Sequence, residues 1–371
     1  MTTPPHDRGS TGDWRSPAAV FRRLPTAGRI FAAILVVVGI VLGAAFAVEV
    51  PRGRVDAPAH IKVEAKPITS FAYGKPEQRR FGMLEFIGGV ELTSSDRNFG
   101  GLSALRIDPD GEHFISLSDQ GYWLTGRIVY EDSRPIGIAD AVMAPMLASD
   151  GRPLAARGWY DTESLAQQDG MLYVGIEGVN RIVRFDFAKY GVLARAEVVP
   201  VPLGISKLPH NKGLEALTFA PPTSRLAGAL IAFSERGLDA AGNLKAFLLG
   251  GPSPGEFTIK RRDDFDISDC SLLPSGDILL LERRFAWTSG LAMRLRRIAV
   301  RDIAPGAVVD GPILLTADMT SQIDNMEGLS VHKDANGATI LTIVSDDNFF
   351  VLQRTILLQF KLVEDEVGSG S

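Results

Sequence analysis

The sequence predicts an all-β chain folded as a single β-propeller, behind one N-terminal transmembrane or signal-anchor helix. Three observations predict it. From about residue 66 the chain shows almost no amphipathic helical pattern, only short apolar runs punctuated by Gly, Pro, Asn and Asp, as in "HFISLSDQG", "GALIAFSERG" and "GDILLLERR". An acid just ahead of a short apolar stretch returns at Glu163, Glu215, Asp269 and Glu327, in steps of 52, 54 and 58 residues. And Ile30 to Val48 is a run of 19 residues without a charge.

Taken in chain order, residues 1–25 are polar with Pro, Gly and Ser, and are expected to be a disordered cytoplasmic tail. Residues 26–50 hold the apolar run. As a helix its 19 residues rise about 28 Å, close to the hydrocarbon thickness of a bilayer. Arg15, Arg22, Arg23 and Arg29 precede it, so the N-terminus is expected inside and the rest exported. Two readings follow: an uncleaved anchor at the inner membrane with the propeller in the periplasm, or a signal peptide cut near "AFA" at 46–48, giving a secreted protein. Residues 51–65 read as a linker, 66–365 as the propeller, and 366–371, ending "GSGS", as a flexible tail.

Within 66–365 the acid motif marks a repeat. "GGLSAL" at 100–105 is a fifth copy, with Gly100 where the others have an acid. Each copy is followed by a turn and a second strand ending in another acid, giving the pairs Gly100/Asp119, Glu163/Glu177, Glu215/Glu235, Asp269/Glu282 and Glu327/Asp346. Two more plausible strands follow each pair. A unit of four short strands every fifty-odd residues is the signature of a propeller blade. The count is five blades, with room for a sixth in the longer first step. After "RTILLQFKL" the last copy lacks a fourth strand, and "RFGMLEFIGGVEL" at 80–92 is left over ahead of the first copy, so both ends are expected to close one blade.

In such a blade the start of strand one and the end of strand two lie on the same face. Asp119, Glu163, Glu177, Glu215, Glu235, Asp269, Glu282, Glu327 and Asp346 would therefore ring one mouth of the central channel. So many like charges need cations or basic side chains beside them. Oxygen-only donors favour Ca²⁺, with Glu163, Glu215, Asp269, Glu327, Asp119 and Asp346 as expected ligands. Glu163, Glu215, Glu177 and Glu235 are the expected acid–base or metal-activating groups. His210, Lys212, Arg181, Arg236 and Arg283 flank the same positions and would hold an anion. The plainer reading makes the acids salt-bridge partners between blades.

Other chemistries are excluded or discarded. The net charge of −5 leaves no basic footprint for nucleic acid. One cysteine, Cys270, permits no internal disulfide framework or cysteine-rich metal site. "GPSPG" around Ser253 matches G-x-S-x-G, but prolines flank the serine and a strand follows, so a turn is expected instead of a nucleophile elbow. No P-loop or dinucleotide fingerprint is present.

The stretches "NKGLEALTF", "DTESLA", "FGGLSALRID", "SDQGYW", "ISDCSLLPSGDILLLERRF" and "NMEGLSV" together resemble the phytase-like family labelled esterase-like activity of phytase, over roughly residues 70–362. The resemblance implies a β-propeller, typically exported by bacteria, and suggests phosphoester hydrolysis, for which related propellers use Ca²⁺. The expectation is a membrane-anchored, metal-assisted phosphoesterase acting on a small anionic substrate at the acidic mouth. The alternative is a non-catalytic propeller that binds a ligand or protein partner of the cell envelope.

Overall fold

The computed structural model describes residues 57–363. The apolar run 30–48, the tail 1–25 and the last residues 366–371 lie outside them. Among the described residues no helix exceeds four residues, and none is long and apolar enough to cross a membrane.

The described residues form five sheets arranged as the five blades of a propeller, antiparallel throughout except where Val308–Val309 pairs parallel with the outer strand Gly255–Ile259 of blade 3. The inner strands are Leu102–Ile107, Thr162–Gln168, Leu214–Phe219, Asp266–Leu272 and Asn325–Lys333. Each pairs with a second strand: His113–Ser118, Met171–Ile176, Leu230–Leu238, Ile278–Ala286 and Thr339–Asp346. The blade that closes the ring is built from both ends. Thr355–Leu362 is its third strand and Leu84–Ser94 its fourth, paired antiparallel from Thr355–Leu92 to Leu362–Leu84. Among the described residues there is no sixth blade: the longer first step is taken up by the extended third and fourth strands of blade 1, Tyr122–Glu131 and Arg134–Pro145.

The region expected to be a linker is partly ordered. Ala59–His60 adds to the outer edge of blade 1. Val63–Ile68 pairs from Val63–Ser94 to Ile68–Gly89 and covers the outer edge of blade 5. Its sequence "VEAKPI" is mostly exposed, so it is held by backbone hydrogen bonds and leaves little hydrophobic pattern to read.

The core is a ring of five apolar seams, one between each pair of neighbouring blades. In "ILLL" of blade 4, Ile278 and Leu280 face the seam with blade 3, while Leu279 and Leu281 face the seam with blade 5. This follows from the two-residue period of a strand. It also explains why second strands read as continuous apolar runs: both faces are buried. Cys270 is buried in the same way.

Candidate functional site: an acidic pocket at the channel mouth

All five inner strands carry a β-bulge at the same place, next to the mouth. The extra residue is Ser103, Glu163, Glu215, Ser268 and Glu327 in blades 1 to 5, as the pairing on either side of each shows. A bulge turns its extra side chain out of the ladder. Where it is glutamate, the carboxylate faces the pocket. Where it is serine, the hydroxyl staples the neighbouring blade, Ser103 donating to the Thr162 carbonyl and Ser268 to the Met326 carbonyl at 2.9 Å.

The same register defines a second ring at the ends of the second strands. Asp346 lies opposite Asn325, and in blade 4 the residue in that place is Arg283, opposite Asp266. Asp119, Glu177 and Glu235 continue the ring through their backbone amides, which bond to the carbonyls of Gly101, Asp161 and Gly213. One ring thus holds four acids and one arginine.

Together the rings line a cavity of about 200 Å³, with eight carboxylates (Asp119, Asp161, Glu163, Glu177, Glu215, Glu235, Glu327 and Asp346), the cations Lys212 and Arg283, and the amides Asn211 and Asn348. The Arg283 guanidinium lies 3.2 Å from Glu327, 3.3 Å from Glu235 and 3.6 Å from Glu215. Lys212, half-exposed, reaches only Glu235, at 3.4 Å. Glu177 accepts from the Gly213 amide at 2.7 Å and Asp346 from the Asn348 amide at 2.6 Å. A side chain at Gly213 would collide with the Asn180 amide oxygen, so glycine is what allows this close approach. Glu163 is nearly fully buried, and its hydrogen-bond partner is another acid, the Asp161 carboxyl.

The electrostatics follow from this crowding. Burial, with Glu327 and Asp161 nearby, pushes Asp119 up to about 8. Burial, with Asp161 and Glu235 nearby, pushes Glu177 up to about 8. Glu163, Glu215 and Asp346 are driven well above the usual carboxylate range by burial and by their acidic neighbours. Asp161 and Glu327 are raised by burial too, opposed by His210 and Arg283 respectively. Burial alone would lower the Arg283 pKa, but the surrounding Glu327, Glu235, Glu215 and Glu163 raise it.

Several expected site residues stand elsewhere. Asp269 is one residue past the bulge and points down the channel. It pairs with Arg106 at 3.3 Å and accepts from the Leu329 and Cys270 amides at 2.7 Å each. The Arg106 guanidinium also donates to the carbonyls of Leu105, Leu165, Leu217, Cys270 and Leu329, one from each blade, and so plugs the channel beneath the pocket. Glu282 faces into blade 4, fully buried against Arg294 (2.6 Å) and Arg296. Arg236 is tied to Asp266 at 2.8 Å. Arg181 lies over the Trp159 ring, 5.2 Å from its centroid. His210 is exposed beside Gly178 and Asp161.

Sequence reasoning missed Asp161, Arg106, Asn211 and Asn348. Asp161 had a signal, since it stands two residues before Glu163, as Asn325 stands before Glu327. Arg106 had none: a lone arginine inside an apolar strand reads as a surface residue.

The donor set tests the expected cation. Carboxylate and amide oxygens with no sulfur or imidazole suit Ca²⁺ in kind. Among the described residues, no three His, Cys, Asp or Glu side chains are gathered as a metal cage. Of the expected ligands, Glu215 and Glu327 are engaged by Arg283, and Asp269 by Arg106. Asp119, Glu163 and Asp346, with Asp161 and Glu177, have no basic side chain within salt-bridge distance among the described residues.

Comparison with known proteins gives the following. No curated protein matches. Among solved structures, glutaminyl cyclase of Myxococcus xanthus aligns at 12% identity and a TM-score of 0.40, over 76% of this chain and 97% of its own. The PQQ-bound aldose sugar dehydrogenase of Streptomyces coelicolor aligns at 14% identity and 0.38, over 82% of this chain and 99% of its own. The family model described as "Phytase-like: Esterase-like activity of phytase" matches residues 97–349, from just before the first inner strand into the loop after Asp346, and the chain belongs to that family.

Proposed function

We propose that this phytase-like propeller is a phosphoester hydrolase whose acidic mouth works with a bound divalent cation, Ca²⁺ by donor chemistry. The observation that carries the reading is the crowding of eight carboxylates and only two cations into one cavity of about 200 Å³. Buried acids at this density need protons or a cation to be stable together. Asp119, Asp161, Glu163 and Asp346 are the residues that would hold the ion. Bound there, it would supply charge for a phosphoryl oxygen and acidify a water.

The remaining residues have separable roles. Lys212, half-exposed at the rim with one partner, is the anion anchor. Arg283 fixes Glu215, Glu235 and Glu327 in place and opposes the rise of Glu215 and Glu327. Glu177 keeps its proton at neutral pH and can give it to a leaving alkoxide. Export behind the segment 30–48, anchored or cleaved, is part of the same proposal.

Metal analysis of the purified chain, then a screen of phosphomonoesters and phosphodiesters with and without chelator, tests it. Calcium-dependent turnover is expected. A chain without metal that cleaves no ester with Ca²⁺ added refutes it.

A second reading has its own observation. Arg283 is already committed to three carboxylates, which leaves Lys212 alone to meet an anion. On that reading the pocket captures a cation or a cationic ligand without chemistry, and the screen would show binding without turnover.

A further inference from the structure

Beside the acidic pocket stands an apolar wall. The second and third strands of blade 4 stay paired past the mouth, up to Ala286 opposite Gly290, and form a projecting hairpin. Its tip carries Phe285 and Trp287, 56% and 77% exposed, with rings edge to face at 5.2 Å. Phe285 is two residues beyond Arg283 on the same strand face, about 7 Å along the chain, so the aromatic pair rises from the pocket's edge. Met319, exposed, stands next to Gly290 of this hairpin. On the adjacent blade, Asn348 of the pocket is followed by Val351 and Leu352, both largely exposed. Asn348 and Phe349 both hold positive φ, at 47° and 48°. Non-glycine residues rarely adopt that region, and such local strain clusters at binding sites. Large apolar side chains left exposed together around a pocket mark a ligand-contacting surface.

We infer that the ester handled by this site carries an apolar or aromatic organic group and few phosphates, the organic half lying against Phe285 and Trp287 while the phosphoryl half enters the pocket. The inference rests on the phosphoester reading above and names its substrate class. Charge complementarity decides it. Lys212 and Arg283 are the cavity's two cations, and Arg283 is already held by three carboxylates, so one divalent ion and Lys212 are the positive charge left to meet an anion. A densely phosphorylated ring would bring many more negative charges than the two cations and the ion offset. A single phosphoryl group is matched by the ion and Lys212, and the wall then recognises what is attached to it. Indole and phenyl rings give a large contact area for a flat group at small conformational cost.

Titration calorimetry of the whole chain in Ca²⁺ tests this, with three probes: phenylphosphonate, methylphosphonate and inositol hexakisphosphate. Phenylphosphonate is expected to bind at least tenfold tighter than methylphosphonate. That gap should shrink to within threefold in Trp287→Ala and in the double variant Phe285→Ala/Trp287→Ala. Both positions are exposed, and an unchanged circular dichroism spectrum shows that the variants fold. Equal affinity of the two phosphonates for the wild type, or a gap that survives the double variant, overturns the inference and leaves the phosphoester reading standing. Tighter binding of the hexakisphosphate than of phenylphosphonate overturns it too. Binding of none of the three overturns both.

Discussion

Stripping metal from the chain and raising the pH is expected to weaken the fold steeply. In the metal-free folded state Asp119 and Glu177 are held up to about 8, while in the unfolded chain such groups titrate near 4. Their folded pKa is raised, so the stability they contribute is complete below about pH 4 and is lost as pH rises toward 8. Between pH 5 and 7 each carries a proton in the folded state that the unfolded chain has released. Each therefore subtracts about 1.4 kcal/mol of stability per pH unit, about 3 kcal/mol together. Glu163, Glu215, Asp346, Asp161 and Glu327 are raised as well and add to the same slope. His332, whose imidazole burial pushes down, works in the opposite direction at the acid end, while Asp269, which burial holds up to about 6, adds to the downward slope below that pH. For an unfolding slope of about 3 kcal/mol per molar urea, the midpoint should fall by about 1 M for each pH unit. Urea titrations followed by circular dichroism at pH 5, 6 and 7 read this directly. Millimolar Ca²⁺ should reverse the trend, because ligands must ionise to bind and the ion then competes with fewer protons as pH rises. A midpoint that stays level or rises between pH 5 and 7 in the stripped protein would refute the electrostatic account of the pocket.

Three further outcomes are expected. Glu163→Gln should raise the stability of the metal-free protein at pH 7 and blunt the rise in melting temperature on adding Ca²⁺, more than Glu215→Gln does, because Arg283 already serves Glu215; differential scanning calorimetry with and without chelator compares them. Arg106→Met strands the buried Asp269 and should cost about 3–5 kcal/mol, whereas Arg106→Met with Asp269→Asn should cost clearly less, since removing both partners leaves no buried lone charge; chemical denaturation of the two variants reads the difference. A reporter fused after residue 363 should be active only when it is one that works outside the cytoplasm, and activity of a cytoplasm-restricted reporter alone would count against export.

The ring itself was legible because its signals are local and repeated. The spacing of the acid motif marks five blades, and the unpartnered "RFGMLEFIGGVEL" identifies the strand that joins Thr355–Leu362. The precise membership of the pocket was not. A bulge adds one residue, and a one-residue shift moves a side chain to the other face of a strand. By sequence, "ISDCSLL" aligns its acid with the others, yet the bulged residue is Ser268, and Asp269 turns down the channel to Arg106. The same shift sends Glu282 into the blade and brings Arg283 to the pocket. Arg181 and Arg236 lie near the motif in sequence, but Trp159 and Asp266 hold them away from the cavity. Such outcomes depend on pairings between distant segments, which no local pattern encodes.

The blade closed by both ends has a consequence in time. Among the described strands Leu84–Ser94 is one of the first to be made, and its partner Thr355–Leu362 is the last. At about 5–20 residues per second, the roughly 260 residues between them take on the order of 15–50 s to synthesise. Until then one long edge, with Phe86, Val90 and Leu92 on it, has only Val63–Ile68 and the short Arg80–Phe81 beside it and no partner on the side where the ring will close. Contacts this far apart in sequence make folding slow and leave an open strand edge exposed meanwhile. A nascent chain halted before residue 355 is therefore an incomplete ring with two sticky rims, and one that needs keeping apart from its copies.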